Sequence, residues 1–106
     1  MAWTLETSGS TATDGTEQTL ATLTGNKSYV FEIDTNAMLN ADQIEIRIYI
    51  KTLTAGTERI ARYVSYANIQ GEPSKQFEPR ASDISYKVTL KRVAGTDRTY
   101  PWKVLS

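Results

Sequence analysis

The chain has 106 residues, with 12 basic and 12 acidic side chains and a formal net charge of zero at pH 7. This length predicts a single domain over residues 1–106, and a hydrophobic content of 40 % is that of a globular protein. The sequence contains neither His nor Cys, so it lacks the usual general base, and it cannot form disulfides or thiolate metal sites. Neutrality also argues against nucleic acid as the main partner.

The N-terminal segment gives a weak structural signal. Residues 1–16 are rich in Thr, Ser and Gly, which predicts a short strand over 3–7 within a loop or loosely ordered arm. The opening MAWTLETSGS has no basic region followed by an apolar one, so no signal peptide is expected. No apolar run approaches the roughly 20 residues that span a bilayer, so we expect a soluble protein with no membrane partner.

Alternation of apolar and polar residues predicts most of the strands. In QIEIRIYIK (43–51), isoleucines alternate with charged residues and Tyr49, which is typical of a strand with one buried face. ISYKVTLKR (84–92) has the same period. About seven strands are predicted in all: 3–7, 17–24, 28–34, 43–52, 59–69, 84–93 and 98–104. Without an amphipathic helix of useful length, the fold class is all-β, an antiparallel sandwich or barrel with mostly meander connections.

Two similar phrases, TAGTERI at 54–60 and VAGTDRT at 93–99, each follow one predicted strand and precede another. They predict two hairpin tips, with Gly56 and Gly95 at positive φ. Gly-Asn at 25–26 predicts a further tight hairpin.

The remaining connections are longer. Residues 34–42 predict a loop with one helical turn at 37–40 that buries Met38 or Leu39. Residues 70–82 are the longest irregular stretch, with Phe77 among charged residues as a candidate contact.

The segment RIARYVSYANI (59–69) breaks the simple alternation, because both of its faces are semi-apolar. One interpretation is a strand whose two faces are partly covered within the domain. The other is that its outer face meets a second subunit through Arg62, Tyr63 and Tyr66, since interfaces favour Tyr and Arg.

The aromatic residues near the two ends allow two interpretations. Trp3 and Trp102 fit a core capped by neighbouring terminal strands, with Tyr100, Trp102 and Val104 facing inward. Alternatively, exposed indoles form a platform for a carbohydrate ligand. Pro101 has no N–H to donate, which predicts an edge strand at the C-terminus and a place for subunit contact.

Candidate chemistry is sparse. Asp34, Asn36, Asn40 and Asp42 have a suggestive spacing for Ca²⁺, but Met38 stands where an oxygen ligand is needed, so we interpret them as turn residues. No glycine-rich phosphate-binding motif is present, and nothing marks a pair of carboxylates as catalytic. We therefore expect no enzyme activity, no metal and no cofactor.

Charge is uneven along the chain. Residues 1–53 hold seven acids and three bases, and residues 54–106 hold five acids and nine bases, giving −4 and +4. Opposite charges paired between neighbouring strands explain this asymmetry. Acidic and basic flanks that pack subunits side by side explain it as well.

Several phrases resemble one family: DTN (34–36), QIEIR (43–47), GTER (56–59), QGEP (70–73) and TLKRVAGTDRTYPW (89–102). From Tyr29 onward, and more weakly over 1–22, the chain resembles small virion-structural proteins of tailed bacteriophages, of the capsid decoration (cement) type. The resemblance implies a β-sandwich or barrel that binds the outer capsid shell as a homo-oligomer, with a trimer favoured. It also implies the major capsid protein as partner, a virion location after synthesis in the host cytoplasm, and no catalytic residues.

Two alternatives stay open: another virion part (a head–tail joining, tail or fibre-base protein), or a carbohydrate-binding sandwich. The predicted interface residues are Arg62, Tyr63, Tyr66, Phe77, Tyr100 and Trp102.

Overall fold

The structure, a computed structural model, describes residues 3–106 as nine β-strands, and this part of the chain contains no helix. The strands form two antiparallel sheets packed against each other in a sandwich that is not closed into a barrel. The all-β prediction is therefore confirmed. The strands are β1 (Leu5–Ala12), β2 (Gln18–Leu23), β3 (Lys27–Asp34), β4 (Gln43–Ile50), β5 (Arg59–Ala67), β6 (Ser74–Gln76), β7 (Arg80–Ser82), β8 (Tyr86–Ala94) and β9 (Thr99–Leu105).

The first sheet has the order β1-β9-β3-β6, with β7 also paired to β3, and the second has the order β2-β8-β4-β5. Among the described strands, only β4 and β5 are neighbours both in sequence and in a sheet. The prediction of mostly meander connections was wrong, because most connections cross between the sheets. The predicted strand number was too low because residues 70–82 contain β6 and β7, which pair with β3.

The two similar phrases have different structures. TAGTERI joins β4 to β5 as the predicted hairpin, whereas VAGTDRT carries the chain from β8 in one sheet to β9 in the other. Gly95 has the predicted positive φ of 86°, and Gly56 does not have a positive φ. The pair at 25–26 likewise crosses between sheets, so it forms no hairpin. The shared Ala-Gly-Thr sequence therefore occurs both in a hairpin and in a crossing between the two sheets.

Strand β1 replaces most of the predicted N-terminal arm. Residues 5–12 pair with β9, from Leu5 opposite Leu105 to Ala12 opposite Thr99. The predicted strand over 3–7 matches only the start of β1, because the Thr, Ser and Gly residues that follow carry no apolar alternation and are held by backbone hydrogen bonds to β9. Met1 and Ala2, which also belong to the predicted arm, lie outside the described residues.

The core lies between the inner faces of the sheets, where most of the residues predicted to face inward on β4 and β8 are fully buried. Thr89, predicted to face outward, is also buried, because it bonds Glu17 on the outer face. The Tyr29 and Tyr86 rings meet across the core at 5.0 Å between centroids, and Phe31 meets Phe77 edge-on at 5.5 Å. The connection after β3 forms turns rather than a helical turn, and it buries Met38. The fully buried side chains are Tyr29, Tyr86, Tyr100, Phe31, Ile33, Met38, Ile44, Ile46, Ile48, Leu90, Val88 and Val104.

Asp42 joins three parts of the chain at one end of the sandwich. Its side chain is almost fully buried, with 3 % of its surface exposed. The carboxylate accepts hydrogen bonds from the N–H of Leu39 at 2.8 Å and of Thr96 at 3.0 Å, and it pairs with the Arg98 guanidinium at 2.5 Å. Its carbonyl oxygen accepts from the N–H of Asn68 at 2.8 Å. We call this arrangement the Asp42 clamp.

Gly95 is required by the Asp42 clamp. A Cβ at this position would lie 2.6 Å from Cα of Asp42 and 2.8 Å from the carbonyl oxygen of Ala41. Both distances are below those that carbon side chains tolerate, and the positive φ disfavours any residue with a Cβ.

Gly95→Ala should therefore destabilise the protein by at least about 2 kcal/mol, because it combines backbone strain with a clash against main-chain atoms. Gly71→Ala is the matched control, since a Cβ there meets nothing within 4 Å. Urea unfolding followed by circular dichroism measures both free energies. Equal unfolding midpoints for the two variants would contradict the role assigned to Gly95.

The Asp42 clamp also predicts a pH dependence. The backbone hydrogen bonds from Leu39 and Thr96, with the Arg98 guanidinium, lower the pKa of Asp42 from 3.8 to about 2. A lowered folded-state pKa gives stability that is present above the unfolded pKa and lost as the pH falls towards 2. Wild type should exceed Asp42→Asn by on the order of 2 kcal/mol at pH 7, and the difference should shrink between pH 5 and about pH 2. Unfolding curves whose difference stays constant over this range would contradict it.

Candidate docking surfaces

The outward-facing side of β5, which lies at the edge of the second sheet, is the first candidate surface. A β-bulge lies between the pairs Ile48–Arg62 and Tyr49–Ile60, so Ala61 has no partner on β4. The bulge turns Ile60 to the outer face of the sheet, beside Tyr49, although strict alternation predicts it on the face of Val64 and Tyr66. The outer side of β5 is therefore exposed and partly apolar, with 52 % of Ile60 and 45 % of Tyr63 accessible.

Tyr63 is held in place by charged neighbours. Its hydroxyl donates a hydrogen bond to the Glu45 carboxylate, and the Arg47 guanidinium lies 5.0 Å from the centre of its ring. The hydrogen bond to Glu45 and burial raise the pKa of Tyr63, and the same hydrogen bond lowers the pKa of Glu45. This exposed ring is thus fixed in orientation by the strand next to it.

Arg62 and Tyr66 lie on the other side of β5. The Arg62 Nε is 2.9 Å from the Glu78 carboxylate, and Tyr66 packs partly against the core with the Lys75 ammonium 5.0 Å from its ring. The segment around β6 and β7 therefore covers the inner side of β5. The inner side of 59–69 is therefore covered within the domain, as the first interpretation predicts, and contact of its outer face with a second subunit stays a prediction.

The outer face of the second sheet continues this polar surface. One Glu17 carboxylate oxygen accepts from the hydroxyls of Thr89 at 2.7 Å and Tyr49 at 2.6 Å, and these bonds lower the pKa of Glu17. The Lys87 ammonium lies 4.5 Å from the centre of the Tyr49 ring. These groups bond one another, so they form a rigid polar face.

Three of the predicted interface residues are not at an open surface. Phe77 and Tyr100 are core residues with 5 % and 1 % of their surfaces exposed, so their assignment to an interface is not supported. Trp102 is half-buried, and its Nε1 donates to the Thr11 hydroxyl at 3.0 Å. The position of Gly9 explains this fit, since a Cβ there would lie 3.1 Å from the indole.

The prediction that Pro101 marks an edge strand was wrong, because β9 lies between β1 and β3. The pairing of β9 with β3 nevertheless ends at Trp102 opposite Ile33, just before Pro101. The missing N–H of Pro101 is thus placed where β9 has only β1 as a neighbour.

A shallow depression opens on the outer face of the first sheet at this point, with a volume of about 440 Å³. Its polar lining comes from three strands of the sheet and from β6, and Lys103 pairs there with Glu32 at 3.2 Å. The outward-facing polar residues that line it are Ser8, Ser10, Glu32, Asp34, Ser74 and Lys103.

The other end of the same face is apolar. Leu5, Leu105 and Val30 lie in one row across β1, β9 and β3. Trp3 is 49 % exposed and Leu5 is 57 % exposed. We call this the apolar patch, defined by Trp3, Leu5, Pro79 and Leu105 around the buried Val30. The sequence alone does not indicate this patch, because Leu5 and Leu105 meet only through the pairing of β1 with β9.

Of the four proposed turn residues, Asp34 and Asn36 form a local turn, in which the Asp34 carboxylate accepts from the N–H of Asn36 at 2.9 Å. Asn40 and Asp42 also join distant parts of the chain, since the Asn40 side chain accepts from the N–H of Ile69 at 3.4 Å and Asp42 forms its clamp with Thr96 and Arg98. Across residues 3–106, no three side chains of the types His, Cys, Asp and Glu are grouped so that they could hold a metal ion. The same range has no helix long and apolar enough to cross a membrane.

Comparison with known proteins assigns no family. No family model matches the chain, and neither curated proteins nor solved structures give a significant match. The surfaces described above and the resemblance of the sequence phrases therefore carry the functional argument.

The different environments of the two indoles give a direct test of the apolar patch. Trp102→Phe leaves Trp3, whose emission should lie at longer wavelength and be quenched readily by acrylamide, because about half of its surface is exposed. Trp3→Phe leaves the half-buried Trp102, whose emission should be quenched less. The reverse order of quenching constants would contradict the positions assigned to the two side chains.

Proposed function

We propose that this chain is a non-enzymatic structural protein of a tailed-bacteriophage virion that binds the outer surface of the capsid shell as a decoration protein. The phrases from DTN to the TYPW ending support the family. The fold is consistent with the role, since a compact all-β domain provides rigid surfaces without any cofactor. In this role the protein is made in the host cytoplasm and resides in the virion.

The observation that carries the proposal is the shape and polarity of the slab. The domain measures 40 × 32 × 18 Å, and its two broad faces differ in character. The face with the apolar patch exposes Trp3 and Leu5. The centre of the opposite face is occupied by charged and hydroxyl groups that bond one another, and its exposed side chains of Ile60 and Tyr63 lie along the β5 edge. Large apolar side chains grouped at a surface are typical of protein interaction sites.

The two faces suggest an orientation on the shell. The apolar patch is the side that contacts the major capsid protein, because burying Trp3 and Leu5 removes apolar surface from water. The opposite sheet then faces solvent, where its charges need no further partner. Homo-oligomer formation belongs to the same proposal, whereas nucleic acid, membranes and cofactors do not.

A carbohydrate-binding role is the second candidate, and the exposed indole of Trp3 favours it. Indole faces stack on sugar rings, and the hydroxyl-rich depression lies on the same face of the sandwich. Binding of a glycan in the absence of capsids would support this role instead. The third candidate, another virion part, predicts binding to tail or head–tail joining proteins.

Co-sedimentation with mature capsids of the phage that encodes the chain tests the proposal. Wild type should saturate the shells, and Leu5→Asp should weaken binding at least about tenfold, because a buried carboxylate at the contact is costly. Leu53→Asp is the matched control, since Leu53 is 70 % exposed at the hairpin between β4 and β5. It should bind like wild type.

Absence of wild-type binding to the shells would contradict the proposed function. Equal binding by Leu5→Asp and wild type would contradict the assignment of the apolar patch as the docking side.

A further inference from the structure

We infer that the edge of β5 pairs with β5 of a second copy of this chain, in antiparallel orientation about a two-fold axis at Val64. This inference goes beyond the proposed function and does not depend on it, because it rests only on the backbone and side chains of one strand. It also names a contact between copies that implies a dimer, whereas the family resemblance implies a trimer.

Strand β5 has the most open edge of the described sheets. The strands at the sheet edges are β1, β2, β5 and the three-residue strands β6 and β7. β5 is the longest of these at nine residues and contains no Pro or Lys, and its bulge at Ala61 protects only its first part, so residues 62–67 remain a regular edge. β1 contains Gly9 and mainly Ser and Thr, and β2 is shorter, with six residues.

Backbone groups of β5 point away from β4 and lack a strand partner. The carbonyl oxygens of Tyr63 and Ala67 accept only side-chain donors, from Arg62 at 3.5 Å and Gln70 at 2.8 Å. Along an edge strand, every second residue directs its backbone N–H and C=O away from the neighbouring strand. Ser65 lies between Tyr63 and Ala67 in this alternation, so its N–H and C=O also point away from β4. Tyr63 and Ser65 therefore offer two donors and two acceptors to a neighbouring strand.

The chain's own geometry limits the register to residues 62–67. The bulge at Ala61 limits regular pairing on one side, and Asn68, with a φ of 66°, ends the strand on the other. Centring the axis on Val64 uses only residues 62–66 and places Tyr63 opposite Ser65 of the second copy. Both residues face outward, as directly opposed residues in an antiparallel pair must.

This register is also electrostatically complementary. It places Arg62 opposite Tyr66 of the second copy, so no two like charges face each other, and a guanidinium next to a tyrosine ring is favourable. Glu78, which is paired with Arg62 at 2.9 Å, is brought towards Lys75 of the other copy, because Lys75 lies on the Tyr66 ring. Each of these contacts occurs twice about the axis.

The ladder is short, so the dimer should be concentration-dependent. Pairing over residues 62–66 buries less than the roughly 1,000 Å² that stable interfaces exceed. We therefore expect association in the micromolar to millimolar range, which the high local concentration on a surface would favour.

Sedimentation velocity over a concentration series of the full chain tests the inference. Wild type should change from monomer to twice the monomer mass. Ser65→Lys should raise the dissociation constant at least about tenfold. The introduced ammonium would lie opposite Tyr63 of the second copy and would be repelled by the Arg47 guanidinium beside that ring. Ser10→Lys, the same change at an exposed site on edge strand β1, should associate like wild type.

Backbone NMR of wild type gives a second measurement that needs no variant. The amide resonances of Tyr63 and Ser65 should shift with concentration, while those of Ser10 should not. The inference is overturned if wild type stays monomeric up to about 1 mM, forms a trimer, or associates unchanged with Ser65→Lys. Because these experiments contain no capsid, their failure leaves the proposed function standing, and failed capsid binding leaves this inference standing.

Discussion

The buried carboxylate of Asp42 is the interaction on which the arrangement of this sandwich depends most. Its partners come from the loop before β4, from the crossing between β8 and β9, and from the end of β5. Only one pair of the described strands is a local hairpin, so most sheet contacts join distant parts of the chain. A charged group that fixes three connections at once offsets part of the entropy that such long-range pairing costs.

Fixing these connections determines the surfaces that remain open. The crossing at Gly95 places β9 between β1 and β3, and this pairing brings Leu5 and Leu105 together in the apolar patch. In the other sheet, Asn68 donates its N–H to Asp42 and ends β5, so the edge of β5 has a defined length. The proposed shell contact and the proposed contact between copies therefore lie on different parts of the slab, and both can be used together.

Strand positions with strict alternation were predictable from sequence, as β4 and β8 show, because one face of each is buried by the opposite sheet. The hairpin at Gly56 was also predicted. The crossing at Gly95 was not, since a glycine at positive φ serves a hairpin and a crossing equally well. The extent of β1 beyond residue 7 was not predicted, because its backbone, rather than apolar side chains, attaches it to β9.

The candidate surfaces were predictable only in part. Tyr63 was predicted from its residue type and is exposed, whereas Tyr100 and Phe77 are core residues, because aromatic side chains suit both environments. The exposure of Ile60 follows from a β-bulge that the local residue pattern does not indicate. The apolar patch depends on residues about one hundred positions apart, so only the pairing of the terminal strands reveals it.

A cryo-electron microscopy reconstruction of the capsid on which we propose that this chain resides tests the central claim most directly. The account predicts density for a two-sheet slab on the outer surface of the shell, with the β1-β9-β3 face and Trp3 against the major capsid protein. A shell without such density, or the same slab located only in the tail or at the head–tail junction, would contradict it.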